Sequence, residues 1–248
     1  MSLVLTENAD GVFSITLNRP DVMNAFTPEL LDALKDAFDA AAGSASAVIV
    51  SGAGRAFTAG VDLKVLQTIN PEAGRLPGAF NGRDQATIAA LRAIPCPVIA
   101  KVHGACFTGG LELALHCDFI FTTKTTKFGD THAKFGIRPT WGMSQNLPAA
   151  VGLRRAKELS YTARTFTGEE AEAWGMVNGA YDSEAELEMV VAERAATIAG
   201  NSKATVAAYK SLHRLAETEL LASALQTEFE TEFPDITDTA DRLAQFKK

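Results

Sequence analysis

Glu112 stands three residues after Gly109 in the run His103-Gly104-Ala105-Cys106-Phe107-Thr108-Gly109-Gly110-Leu111-Glu112. An earlier run, Arg55-Ala56-Phe57-Thr58-Ala59-Gly60-Val61-Asp62-Leu63, also follows a β-type stretch and leads through glycine into a helical pattern. Each turn can aim a backbone N–H at one point in space, because the first N–H groups of a helix lack partners within it. Two such donors suit an acyl oxygen that gains negative charge, and the helix dipole adds to the effect. Residues i and i+3 share a helix face, so Glu112 sits beside Gly109 within reach of the same bound group. The competing role for Glu112 is to offset the helix dipole at its N-terminus. Leu113, Ala114 and Leu115 mark a buried helix, where a bare carboxylate is costly without a purpose.

Other motifs carry less. Ser51-Gly52-Ala53-Gly54 follows an apolar strand and invites a dinucleotide reading, but Phe57 falls where a third glycine must let helix and strand pack. A plain tight turn is the better reading. Ser144, in Gly-Met-Ser-Gln-Asn, lacks the second glycine of a nucleophile elbow. Cys106 has no base partner in the sequence and reads as an inert buried thiol. The four histidines fit no ligand spacing, so no metal is expected.

These residues must be held by a core, and the 248-residue chain, 47% hydrophobic, has ample material for one. A net charge of -7 without a basic stretch argues against nucleic acid, though not against a small anionic ligand. Three cysteines without paired spacing read as thiols of a cytoplasmic protein. Neither a signal peptide nor a membrane span is expected.

Leu3 to Thr6 and Val12 to Leu17 form a hairpin, and Thr27-Pro28-Glu29 opens a helix that Gly43 ends. Ala47 to Ser51 is a short apolar strand buried on both faces. A helix at Val61 to Gln67, a loop at Asn70 to Gly78, a helix at Ala79 to Ala93 and a strand at Pro97 to Val102 follow. The second glycine turn opens a helix over Gly109 to His116, before a strand at Asp118 to Thr122. Strand, turn, helix and strand recur, which predicts an α/β class. From Gly152 onward the pattern is helical, with an amphipathic tail at Thr237 to Lys248 suited to docking on another subunit.

Ala-Phe-Thr-Ala-Gly-Val-Asp-Leu, followed by His-Gly-x-x-x-x-Gly-Gly-Leu-Glu-Leu-Ala-Leu-x-Cys-Asp, closely resembles the enoyl-CoA hydratase/isomerase (crotonase) superfamily. Arg19-Pro20, Asn24-Ala25, Gly136-Ile137-x-Pro139, Ala150-Val151-Gly152 and the stretch from Thr167 to Val177 extend the likeness over nearly the whole chain. The resemblance implies a crotonase-like spiral of repeated ββα units over residues 1–195. A C-terminal helical region, 196–248, would form a homotrimer or a dimer of trimers. It implies an acyl-CoA thioester as substrate, with coenzyme A as part of that substrate and no separate cofactor.

Carried over by position, the resemblance makes the Ala59 and Gly109 N–H groups the oxyanion donors. Asn24, Ala25 and Ala59, Gly60, Val61, Asp62 and Leu63 would line the pantetheine and adenine part of the ligand, with Asp62 bracing its loop. Glu112 matches the first catalytic glutamate of hydratases, and His132 stands where the second is expected. His132 either takes the acid/base role, with Asp130 as a weaker stand-in, or walls the pocket. Thr140 replaces the catalytic Asp of dienoyl-CoA isomerases and chlorobenzoyl-CoA dehalogenases. Hydration of a 2-enoyl-CoA is the expected reaction. A hydratase-lyase, an enoyl-CoA isomerase or a non-catalytic acyl-CoA-binding protein are the alternatives. The acyl pocket would be walled by Asn70 to Gly78, Phe80, Trp141 and the C-terminal helices.

Overall fold

The computed structural model describes residues 2–69, 74, 80 and 82–244. Strands β1 (Val4–Ala9) and β2 (Val12–Leu17) form the expected hairpin, tighter and longer than the sequence pattern suggests. Asp10 and Gly11 both take positive φ, as a two-residue turn between twisted strands requires. Helix α1 (Pro28–Ser44) starts where expected: Thr27 accepts the Leu30 N–H and Pro28 occupies the first turn. Gly43 lies inside α1 rather than ending it, because the ladder runs on to an Ala45 N–H bonded to Ala41.

β3 (Ala47–Gly52) leads through the first glycine turn to α2 (Leu63–Thr68), then α3 (Arg83–Ala93) and β4 (Val98–Val102). The stretches 70–73 and 75–79, which hold most of the expected acyl-pocket loop, lie outside the described residues. Next comes β5 (Ala105–Phe107), a strand hidden in what reads as a turn, because three residues give too short an alternation to detect. α4 (Gly109–Leu115), β6 (Phe119–Thr123) and β7 (Lys127–Gly129) follow. α5 (Met143–Val151) and α6 (Leu153–Thr162) then stack together before β8 (Phe166–Thr167), α7 (Gly168–Ala173) and β9 (Gly179–Tyr181). The C-terminal part is therefore not purely helical.

The strands form two sheets, ordered β1-β2-β3-β4-β6-β9 and β5-β7-β8. Successive stretches of chain give one strand to each sheet: β4 then β5, β6 then β7. Pairing from β2 through β9 in the larger sheet is parallel. β3, β4 and β6 are buried on both faces, as coverage on both sides demands. Val48 and Val50 of β3 enter the main core, whereas Ala47 packs in a second cluster with Ile99. That second cluster is covered by α8 (Glu184–Gly200) through Leu187, Val191 and Ala195, spaced one turn apart.

Residue 195 thus lies within a continuous helix seated on the sheet. The change to outlying helices comes after Gly200, with α9 (Lys203–His213), α10 (Leu215–Thr218), α11 (Leu221–Glu230) and α12 (Thr239–Ala244). Leu220, Leu221 and Phe229 are exposed there, Phe229 at 87%. Among the described residues, no helix is long and apolar enough to cross a membrane.

Candidate active site

The two glycine turns lie against each other. Isolated parallel bridges join Thr58 to Cys106 of β5, and Phe26 to Val61. A Cβ on Gly60 would stand 2.1 Å from Thr108 Oγ1, and one on Gly110 would stand 2.5 Å from Thr58 Cγ2. Both contacts are closer than a Cβ tolerates, so glycine at these positions permits the two turns to pack against each other.

The amides of the first turn are divided by that contact. Ala59 donates its N–H to Met23 O at 2.9 Å, and Gly60 donates to Thr58 Oγ1 at 3.1 Å. Ala59 therefore cannot serve as the expected oxyanion donor. In the Phe26–Val61 bridge, Phe26 bonds Gly60 O and Asp62 bonds Phe26 O, so Val61 turns its own N–H the other way. Among the described residues neither the Val61 N–H nor the Gly109 N–H, first in α4, has an acceptor. Both residues line a cleft of about 520 Å³. Which amide the Met23 carbonyl captures depends on two consecutive residues at positive φ, Met23 (51°) and Asn24 (54°), a conformation with no sequence signature when neither is glycine.

Asn24 is fully buried and spends its side chain on the frame. Its amide donates to the carbonyls of Ala53, Ala56 and Phe57, and its Oδ1 accepts the Arg19 N–H at 2.8 Å. Asp62 caps α2 through the Lys64 N–H and accepts from Arg19 at 3.2 Å, which braces the turn. Ala25, Val61 and Leu63 line the cleft; Asn24 and Gly60 stand behind it. Phe80 is part of the main core rather than a cleft wall, and no described residue beyond Thr165 lines the cleft, so this chain's C-terminal helices do not wall it.

Glu112 is 1% exposed and points into this cleft. Its Oε1 accepts the backbone N–H groups of Trp141 and Met143, both at 3.1 Å. Its Oε2 lies 3.6 Å from His132 Nε2, and His132 Nδ1 lies 2.7 Å from Asp130 Oδ1. Burial pushes the Glu112 carboxyl above its ordinary range, against the pull of His132 and the two backbone donors. For His132, burial works downward, but the Asp130 hydrogen bond and the charges of Glu112 and Asp130 outweigh it and the net shift is upward. Burial would raise Asp130, yet its bond from His132 and the polar neighbour Ser160 bring it below the usual value.

Trp141 was readable only as a pocket wall, and it does more. His116 Nε2 donates to Trp141 O at 2.6 Å, so the N–H and the C=O of this residue are both held. Its indole donates to Asp84 at 2.8 Å, packs 5.5 Å from the Phe26 ring, and would meet a Cβ on Gly109 at 3.1 Å. Asp84 had no signal in the sequence, since an acid in the first turn of α3 reads as a dipole partner. Among the described residues no group of His, Cys, Asp and Glu is arranged to hold a metal ion.

The family model for enoyl-CoA hydratase/isomerase matches residues 7–244. A probable peroxisomal enoyl-CoA hydratase 1 of Arabidopsis thaliana is 33% identical over 208 residues, 83% of this chain and 76% of that protein. A peroxisomal Δ(3,5)-Δ(2,4)-dienoyl-CoA isomerase of the same plant is 33% identical over 228 residues, covering 84% of this chain and 80% of its own length. The crystal structure of an enoyl-CoA hydratase from Bacillus anthracis superposes with a TM-score of 0.88 at 32% identity, covering 97% of this chain and 93% of that one.

Proposed function

Because the chain belongs to the enoyl-CoA hydratase/isomerase family, we propose that it adds water across the double bond of a 2-enoyl-CoA thioester. The observation that carries this is the placement of Glu112 Oε2, 3.6 Å from His132 Nε2, in a cleft lined by two residues whose amides have no acceptor among the described residues. The thioester oxygen accepts from Val61 N–H and Gly109 N–H, and charge drawn onto it leaves carbon 3 electrophilic. Glu112 takes a proton from water as the oxygen adds to carbon 3. The His132 Nε2–H then protonates carbon 2, which collapses the enolate to the 3-hydroxyacyl thioester. The proton held by Glu112 returns to His132 across their contact, and the site is reset.

Coenzyme A enters as part of the substrate, and no separate cofactor takes part. Ala25, Val61 and Leu63 offer apolar lining to its pantetheine and adenine, while Lys64, Lys134 and Arg138 place positive charge along the cleft for its phosphates. The exposed Leu221, Leu225 and Phe229, spaced four apart on α11, support docking of this helix in a homotrimer or a dimer of trimers. The free thiols of Cys96, Cys106 and Cys117 are in keeping with a cytoplasmic protein.

The test is incubation with crotonyl-CoA and longer or aromatic enoyl-CoA thioesters, following loss of the conjugated enoyl-thioester absorbance. Loss of that absorbance with 3-hydroxyacyl-CoA formed is expected. Tight acyl-CoA binding without turnover of any of them would overturn the reading in favour of a binding protein.

A further inference from the structure

Asp130 takes no step in the hydration above, yet its carboxylate is 3% exposed and meets His132 Nδ1 at 2.7 Å. Its position is built from the sheet. β7 pairs in parallel with β5, placing Gly129 opposite Phe107, and Thr108 donates its N–H to Gly129 O at 2.9 Å. Asp130 therefore leaves the strand directly beside the turn that carries Gly109. Ser160 of α6, which packs on the short turn His132–Phe135, is a polar neighbour that helps to lower the Asp130 carboxyl. Burying a carboxylate is costly, and a fixed cationic partner is the usual compensation.

Among the described residues, the charged groups that bear on the His132 ring are Glu112 of α4 on the Nε2 side and Asp130 on the Nδ1 side. From α6 the neutral Ser160 bears on Asp130. In the hydration above, the Glu112–His132 pair has one proton to place. On Glu112, that proton leaves a carboxylic acid beside a neutral imidazole. On His132, it leaves a carboxylate beside an imidazolium. The second arrangement alone equips Glu112 to deprotonate water and His132 to protonate carbon 2. The Nδ1–H of either form can bond Asp130, so the geometry fixes the ring while the charge of Asp130 discriminates between the two forms.

We propose that Asp130 is a positioning residue that holds the shared proton on His132 and so keeps Glu112 as the base. This rests on the hydratase reading. Asp130→Asn retains an oxygen that can accept the Nδ1–H but removes the charge. Its kcat for crotonyl-CoA should fall by about tenfold or more with KM unchanged. The alkaline limb of its kcat–pH profile should move to lower pH, and the His132 imidazole signal in NMR should titrate lower to match. Asp130→Glu, which keeps the charge, should restore the limb toward wild type.

An Asp130→Asn protein with an unmoved limb and unmoved imidazole titration overturns the proposal, whatever its kcat. Should that variant fail to fold, the wild type decides: carboxyl NMR at neutral pH should show Glu112 ionised and His132 protonated, and the reverse assignment overturns it. If wild type hydrates no enoyl-CoA, the hydratase reading fails by itself, while the NMR titration still reports where the proton sits.

Discussion

Glu112 and Trp141 are joined through the backbone. Glu112 Oε1 accepts the Trp141 N–H at 3.1 Å, while the indole of that residue closes over Gly109, where a Cβ would lie 3.1 Å from Cζ3. One residue thus anchors the base with its main chain and narrows the space beside an oxyanion donor with its ring. The two effects are separable, because any substitution except proline keeps the N–H.

Trp141→Ala should leave Glu112 anchored and open the cleft beside Gly109 and Phe26. The ratio of kcat/KM for long-chain over crotonyl substrates should rise, at a cost of about 3–5 kcal/mol in stability measured by denaturant unfolding. Trp141→Phe keeps most of the bulk and loses only the bond to Asp84, so it should cost about 1 kcal/mol and leave chain-length preference near wild type. An unchanged ratio in Trp141→Ala would show that the acyl chain runs elsewhere.

Glu112→Gln keeps an oxygen that can accept from Trp141 and Met143, so the fold and thioester binding should survive. Turnover should drop by roughly 10²–10⁴-fold, the range for losing a positioned base. Calorimetry with a saturated acyl-CoA checks binding apart from chemistry. Near-normal hydration would remove Glu112 from the mechanism.

The pH profile follows from the directions of two shifts. Glu112 works as a base when ionised, and its value is raised above 4.5, so activity falls as pH drops through a midpoint higher than that of an ordinary glutamate. His132 works as an acid when protonated, and its value is raised above 6.5, so activity falls as pH rises through a midpoint above 6.5. For stability, the raised His132 value gives a contribution fully present below its unfolded pKa and lost as pH rises through the native one. A kcat/KM profile, which reports the free enzyme, whose alkaline midpoint lies below 6.5 would contradict this assignment.

Much of the site was legible because its chemistry is tied to glycine. Gly60 and Gly110 each mark a close approach that a side chain would block, Gly109 a tight one under the Trp141 ring, and Glu112 follows from helical periodicity. Val61 could not be told from Ala59, since the difference is which N–H the Met23 carbonyl accepts. β5, β8 and β9 are too short for alternation to register, and each is defined by its partner strand. The Asp130–His132 pair was visible as two residues, but their contact depends on the turn that follows β7. Asn24 read as a ligand-lining residue because a buried amide bonding three carbonyls is a tertiary fact.

Gly60→Ala tests the junction of the two turns directly. At φ +85 the new Cβ would stand 2.1 Å from Thr108 Oγ1 and 2.7 Å from Phe107 O, so the backbone must move and carry the Val61 N–H with it. Losing that donor should reduce transition-state stabilisation by about 3 kcal/mol, read as a fall in kcat. Gly82 is the control: its φ is also positive, at +77, but among the described residues nothing lies within 4 Å of a Cβ placed there. Gly82→Ala should cost about 1 kcal/mol of stability through backbone strain alone and leave kcat intact. Equal, small effects of both substitutions on kcat would mean that Val61 donates nothing to the thioester oxygen.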